Sequence, residues 1–161
     1  VISPKRAKRK AIGWLFRVPV WFYRVGLGWL LGRRFLLLTH RGRITGRVRH
    51  AVLEVISFDT DSQESVVVSA YGSQADWYRN IRTSPALRIR TGRLDYIPRQ
   101  RFLTIEEASE VAVEFARNHP WELRLLSQTL PVIGALDRNA SRPDPVNELA
   151  ALPMVGFAPE K

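Results

Sequence analysis

FLLLTHRGRITGRVR, residues Phe35 to Arg49, decides how the rest of the chain is read. A short apolar run ends at Thr39 and His40. Gly42 and Gly46 then bracket Arg43, Ile44 and Thr45, and a second apolar run follows from His50 to Ser57. Pattern and punctuation predict strand, turn, strand. The glycines permit backbone conformations that other residues resist, and they let main-chain N–H groups approach a ligand closely. Arg41, Arg43, Arg47 and Arg49 surround those amides, and Thr45 adds a hydroxyl. Such a turn suits an anionic oxygen, above all a phosphate, which a guanidinium grips in a two-pronged geometry. A solvated hairpin tip, where Gly and Arg are also common, is the alternative that the turn alone leaves open.

On the N-terminal side, KRAKRK gives way to the segment Ala11 to Gly32, AIGWLFRVPVWFYRVGLGWLLG. Arg17, Arg24 and Pro19 interrupt it as a membrane span, because a central Arg costs about 2.5–3.5 kcal/mol on insertion scales. Arg17 also splits the apolar region that a secretory signal would need. A basic cluster followed by Trp14, Phe16, Trp21, Phe22 and Trp29 fits an amphipathic helix on an anionic membrane face. Packing of the same aromatics on the domain's own core is the rival reading.

On the C-terminal side, Ser65 to Tyr71 reads as a buried strand and Asp76 to Ser84 as a short helix stopped by Pro85. Ala86 to Thr91 alternates apolar and basic residues as a half-buried strand does. Leu94 to Phe102 reads as one further strand, with Pro98 marking an edge or a bulge. Thr104 and Glu107 form a capping box before a helix whose Ala108, Val111, Ala112, Phe115 and Ala116 share one face. His119-Pro120 ends it. A second helix is expected over Trp121 to Gln128, an apolar segment over Leu130 to Leu136, and a short helix around Asn147 to Ala151. Short turns make neighbouring strands antiparallel. The sum is an α+β domain on a small sheet or barrel, spanning 33–161 behind an N-terminal arm of residues 1–32.

The 161 residues are 45% apolar and carry a net charge of +10. All of the excess lies early: Val1 to Leu53 holds 13 Lys or Arg and no acid, while the remainder has 12 basic and 15 acidic residues. Partners of that first third are anionic: a ligand, a membrane or nucleic acid. With no cysteine, disulfides and thiolate chemistry are excluded. His40, His50 and His119 have no partner at metal-ligand spacing. No G-x-S-x-G, no G-x-G-x-x-G and no paired carboxylate is found. A chain without acid, base or nucleophile candidates either does not catalyse or leaves the chemistry to a cofactor. No catalytic side chain and no metal site is assigned. A nucleic-acid module is the competing class, but no recognised motif supports it.

A second cluster, SAYGSQADWYRN from Ser69 to Asn80, joins a strand end to a helix start. Trp77, Tyr78 and Asn80 combine flat apolar surface with polar handles, as a pocket for an aromatic ring requires. Anchoring of the helix to the core by Trp77 and Ile81 is the plainer alternative. Together the two clusters, LTHRGRITGR at Leu38 to Arg47 and SAYG followed by DWYRN, resemble the deazaflavin (F420)-dependent nitroreductase family. The resemblance covers Gly32 to Arg101 and continues more weakly to TLPV at Thr129 to Val132.

That resemblance implies a split β-barrel of the flavin-binding type. It implies an oxidoreductase passing a hydride from reduced coenzyme F420, or alternatively FMN, to a quinone, a nitroaromatic or an unsaturated lipid-like acceptor. It implies that Arg41, Gly42, Arg43, Ile44, Thr45, Gly46 and Arg49 hold the coenzyme's phosphate and glutamate tail. Ser69, Ala70, Tyr71 and Gly72 would lie along the ring, with Trp77, Tyr78 and Asn80 closing the pocket. Relatives carry Lys where this chain has Ile44, and many carry a second Lys where it has Tyr71. Tyrosines that some relatives place over the substrate are missing from HPWELRLLSQT. Some branches bind fatty acids or lipids, so a non-catalytic lipid carrier of the same fold is the alternative. The expected location is cytoplasmic, peripheral on the inner face of the cell membrane through residues 1–32, with no nucleic-acid partner.

Overall fold

In the computed structural model, which describes residues 32–124 and 144–160, β1 (Phe35–Arg41) and β2 (Val48–Phe58) form the hairpin that the glycine-bracketed turn predicts. Their register runs from Phe35 opposite Glu54 to Arg41 opposite Val48. β2 is 11 residues long because it serves two neighbours. Its first part pairs with β1 and its last part with β3 (Ser65–Val68), with a bulge between Val55 and Ser57. Such a bulge bends a strand and raises its twist, which turns β2 from one side of the sheet into the other.

After β3 a single 3-10 turn, Gly72–Gln74, leads into α1 (Asp76–Thr83). β4 (Arg88–Thr91) pairs with β1 and β5 (Leu94–Tyr96) with β4. The stretch expected as one strand divides at Ile97. Pro98 has no N–H to continue the ladder and opens β6 (Pro98–Phe102) on the opposite edge of the sheet. α2 (Ile105–Asn118) starts at the expected capping box, with both the Thr104 and Glu107 side-chain bonds present. Residues 120–124 are helical, and the rest of the expected second helix and the 130–136 segment lie outside the described residues. α3 (Pro145–Ala150) is capped by the Asp144 carboxylate and followed by β7 (Met154–Pro159), a strand that the sequence reading does not contain.

The strand order is β5-β4-β1-β2-β3-β7-β6, and every pairing is antiparallel. The outermost strands, β5 and β6, are separated in the chain by Ile97 alone, so the two edges meet. Tyr96 Oη donates to the Phe157 carbonyl at 3.2 Å, and the Glu160 N–H donates to the Ile97 carbonyl at 3.1 Å. The sheet is therefore a nearly closed split β-barrel, as the α+β reading with a flavin-type barrel expects.

Strand alternation sorts the apolar residues into two cores. Leu36, Leu38, Leu53, Val67, Ile89, Val155 and Phe157 fill the barrel, joined by Ile81 from α1. On the outside of the same strands, Ile56, Val66 and Met154 pack with Ala108, Ala112 and Phe115 of α2 and Leu149 of α3. Consecutive residues such as Val66 and Val67 thus bury on opposite faces. Among the described residues no helix is long and apolar enough to cross a membrane. The arm, residues 1–31, lies outside the described residues.

Candidate functional site

The β1–β2 turn is built by its own backbone. The Gly42 N–H donates to the Arg47 carbonyl at 2.9 Å and the Gly46 N–H to the Gly42 carbonyl at 2.8 Å. Gly46 has φ +66°, a conformation that favours glycine. Gly42 is needed for space: a Cβ there would lie 2.9 Å from Arg49 Nε and 3.3 Å from Thr45 Oγ1. Both side chains fold over the bare backbone of the turn.

Asn80, on α1 and 3% exposed, holds this turn to the helix. Its Oδ1 accepts from the Arg43 backbone N–H and from Arg43 Nη1, each at 3.0 Å. The amide orientation follows from that pair of donors, so Asn80 Nδ2 donates to His40 Nδ1 at 3.2 Å. His40, at the end of β1, is also 3% exposed. Burial lowers its pKa from 6.5, against a hydrogen bond to the Arg41 backbone that raises it, and the nearby His50 and Arg49 lower it further. A neutral imidazole with Nδ1 as acceptor is the state that the network requires. Arg43 Nη1 also donates to Asp76 Oδ1 at 2.9 Å; the Asp76 side chain is 84% exposed, that of Arg43 21%.

Two recesses open around this network. The smaller, of about 130 Å³, is lined by Gly42, Arg43, Ile44, Thr45, Arg49, Asp76 and Asn80. The larger, of about 660 Å³, is lined by His40, Arg49, His50, Ala51, Tyr71, Gln74, Ala75, Asp76, Trp77 and Asn80. They share Arg49, Asp76 and Asn80. Small-molecule sites run from about 300 to 1,000 Å³, so the larger one has room for a ring system. The smaller presents two guanidiniums and a hydroxyl, against the single carboxylate of Asp76.

The sequence-predicted residues divide accordingly. Gly42, Arg43, Ile44, Thr45, Arg49 and Asn80 come together at the small recess, and Tyr71, Trp77 and Asn80 at the large one. Arg41 lines neither recess; its Nη1 donates to the Gly46 carbonyl of the turn at 3.4 Å. Ser69 is fully buried and its Oγ donates to the Gly72 carbonyl at 2.7 Å, so the hydroxyl is spent inside the 3-10 turn rather than offered to a ring. Ala70 and Gly72 line neither recess. Tyr78 turns the other way, edge-on to Phe102 at 5.6 Å. Trp77 packs against the barrel core, as the anchoring reading expects, and also lines the larger recess. His40, His50, Gln74 and Asp76 also line the recesses, and the sequence reading did not assign them. The hairpin register puts His40 opposite Arg49, a signal available once the histidines are considered as polar lining and not only as metal ligands. Among the described residues no cluster could hold a metal ion.

Comparison with known proteins agrees with this architecture. The F420-H2 dependent reductase FDR-A superposes with a TM-score of 0.51 at 17% identity, covering 78% of this chain and 95% of that one. A structure described as a domain-swapped dimer superposes at 0.50 with 16% identity, covering 78% and 81%. At such identities the likeness is one of fold. No curated protein matches in sequence. The profile of the F420H(2)-dependent quinone reductase family matches residues 15–114, more than half of the chain and all of the hairpin and α1. The chain belongs to the F420H(2)-dependent quinone reductase family and is a reductase that uses coenzyme F420.

Proposed function

We propose that this reductase delivers its hydride to an electron-poor, quinone-type acceptor, with the coenzyme's phosphate at the Gly42–Gly46 turn and its ring in the adjoining cleft. One observation carries the reading: a small basic recess opens beside a ring-sized cleft, with Arg49, Asp76 and Asn80 common to both. The donor set fits the group. Arg43, Thr45 and Arg49 supply charged and neutral donors to anionic oxygens, and the bare Gly42 lets them converge. Trp77 offers the cleft a flat apolar wall, and neutral His40 with Asn80 a polar floor. The bound deazaflavin supplies the hydride. The chain's part is to position the reactants, keep water from them and hold the anionic tail. Ile44 is 85% exposed and adds no charge where relatives carry Lys, so the tail's charge falls to the neighbouring arginines. Titration of the purified chain with the coenzyme, followed by its fluorescence and run in parallel with FMN, should show saturable F420 binding at micromolar levels. Failure of both to bind would end the reading.

The acceptor's class follows from the N-terminal segment. Residues 1–32 hold the protein on the cytoplasmic face of an anionic membrane, where lipid-soluble quinones are at hand. Lys5, Arg6, Lys8, Arg9 and Lys10 each contribute about 1 kcal/mol near such a surface, and Trp14, Phe16, Trp21, Phe22 and Trp29 favour the headgroup level. Neither signal alone anchors a protein stably; two together do. A chain lacking residues 1–32 should remain folded and cease to sediment with anionic vesicles. An unfolded truncation, or a full-length protein that ignores vesicles at low salt, would make the segment structural.

A further inference from the structure

The large cleft has a polar rim with one exception. Among its lining residues Arg49, His50, Gln74 and Asp76 are exposed, and so, at 49%, is Tyr71, which brings an aromatic ring to the same edge. Beneath them His40, Ala75 and Asn80 are buried, and half-buried Trp77 forms the apolar wall. We propose that Tyr71 determines acceptor specificity: its ring lies flat against the ring of an incoming aromatic acceptor. The proposal rests on the reading above, in which the coenzyme's ring occupies the cleft. Deep residues meet the ring that is already bound, and the rim meets the reactant that arrives second.

Of the described tyrosines, Tyr71 alone has an unspent ring. Tyr78 packs against the barrel core and lies edge-on to Trp77 and Phe102, at 5.8 and 5.6 Å. Tyr96 packs against the same core and donates to the Phe157 carbonyl. Tyr71 belongs to neither core, and among the described residues no hydrogen bond or ring contact engages its side chain. Its backbone, by contrast, is fixed from both sides. Ser69 Oγ donates to the Gly72 carbonyl at 2.7 Å, and the Gly72 N–H donates to the Ser69 carbonyl at 2.8 Å. The buried Ser69 is itself tied by its N–H to the Pro153 carbonyl at 2.8 Å, just ahead of β7. Gly72 has φ +62°, a conformation that glycine adopts without strain. The Ser69 hydroxyl therefore holds the turn that presents Tyr71. A bare ring on a fixed backbone loses little entropy when a flat ligand covers it. The contact takes two apolar faces out of water and adds the attraction of an offset-stacked pair, so a larger flat acceptor gains more than a small one.

Binding and turnover test this separately. The chain has four tyrosines, so fluorotyrosine labelling of the full chain gives a short fluorine NMR spectrum, in which Tyr71→Phe identifies the Tyr71 signal. With oxidised coenzyme bound there is no hydride to transfer, and without cysteine there is no thiol for a quinone to alkylate. Added menadione should then shift the Tyr71 signal saturably and leave that of Tyr96 in place. In turnover, Tyr71→Leu should raise KM for two-ring menadione by about two- to tenfold, the range for an aromatic pair. KM for one-ring duroquinone should rise less, and the loss in kcat/KM should be carried by KM in both cases. Tyr71→Phe keeps the ring and should keep the parent's ratio of the two KM values. A Tyr71 signal that ignores menadione while the coenzyme binds, or equal KM changes for the two quinones, would overturn the role of Tyr71 and leave the cleft reading standing. A loss of coenzyme affinity in Tyr71→Leu in place of the KM change would overturn it too, by making Tyr71 a wall for the coenzyme. Failure of the parent chain to bind the coenzyme would instead remove the cleft reading and this role with it.

Discussion

At Gly156 and at Gly42 a charged side chain lies where a Cβ would otherwise stand. An added Cβ would be 2.6 Å from Glu64 Oε1 at the first position and 2.9 Å from Arg49 Nε at the second. What surrounds the two charges differs. The Glu64 carboxylate is gripped by Arg101 through two bonds of 2.7 and 2.8 Å, and Arg101 also donates to Glu107, which closes the capping box of α2. The Glu64 hydrogen bonds, chief among several causes, raise the Arg101 pKa, as a guanidinium paired with carboxylates should show. This cluster ties β6 to the start of β3 and to α2, and its one guanidinium already faces two carboxylates. At the other end, Arg49 meets no carboxylate among the described residues, and Arg43 divides itself between a neutral amide and an exposed acid. A charged cluster is a binding site to the extent that its hydrogen-bonding capacity is unspent, whatever its count of charges.

The largest effect expected from breaking the hairpin end is that of Asn80→Ala. It leaves buried His40 without its donor and Arg43 without its acceptor, at a cost of about 1–3 kcal/mol in stability. Coenzyme affinity should fall with it. Denaturant unfolding beside a fluorescence titration would read both; a stability loss with affinity intact would detach the network from the tail site.

A matched pair of arginine substitutions comes next. Arg43→Ala should cost about 1.5–3 kcal/mol of coenzyme affinity, the range for hydrogen bonds to charged groups, and change stability by no more than about 0.5 kcal/mol. Arg101→Ala should do the reverse: no change in affinity, and a stability loss of at most about 1 kcal/mol because the side chain is half exposed. Should the two variants behave alike in both assays, the distinction drawn above would be wrong.

The glycines sharpen the same contrast at smaller amplitude. Gly42 does not have a positive φ, so Gly42→Ala brings no backbone strain and acts by pushing Arg49 aside. Affinity should fall by about 1 kcal/mol, the upper value for an exposed ion pair, with unfolding little changed. Gly156→Ala displaces the Glu64 carboxylate instead, and should lower the unfolding midpoint while the titration stays as it was.

The hairpin was legible in the sequence because its turn carries glycines at fixed positions and its flanking runs are apolar. The strand β7 was not. MVGFAP buries Val155 and Phe157 into the barrel and Met154 toward α2, so it shows no alternation, and its partners β3 and β6 lie far away in sequence. A continuous apolar run between Pro153 and Pro159 is the only local sign of a strand buried on both faces. At the site, the arginines and glycines of the turn could be named from spacing alone. The bond between His40 and Asn80 joins residues 40 positions apart, and no local pattern encodes it. Nor does composition say which way a hydroxyl or a ring turns, which is why Ser69 and Tyr78 were expected in the cleft and are found outside it.

The smallest effect is a pH dependence that belongs to one end of the molecule. Burial holds the folded-state pKa of His40 below 6.5, its ordinary value. As pH falls through 6.5 the unfolded chain takes up a proton that the folded chain resists, so stability present above 6.5 is lost on the way down through the folded-state pKa. Glu54, whose carboxyl is pushed up by burial, titrates with the opposite sign in mildly acid solution and blunts the whole-protein curve. The difference between the parent and His40→Gln isolates the histidine, because the glutamine amide still offers Asn80 an acceptor but has no proton to gain. Unfolding free energies measured from pH 7.5 to 5 should converge toward acid pH, by no more than about 1.4 kcal/mol for each tenfold difference in proton affinity between the folded and unfolded chains. Coenzyme affinity should weaken in the same window in the parent alone. A protonated Nδ1 faces the Asn80 amide as donor to donor, and the amide can escape only by rotating Oδ1 away from Arg43. The Arg101 end stays silent there, since Glu107 is held below the usual carboxylate range by its bonds to Thr104 and Arg101. Parallel curves for the parent and His40→Gln, in both stability and affinity, would show that the buried imidazole is a packing residue with no hold on the anion site.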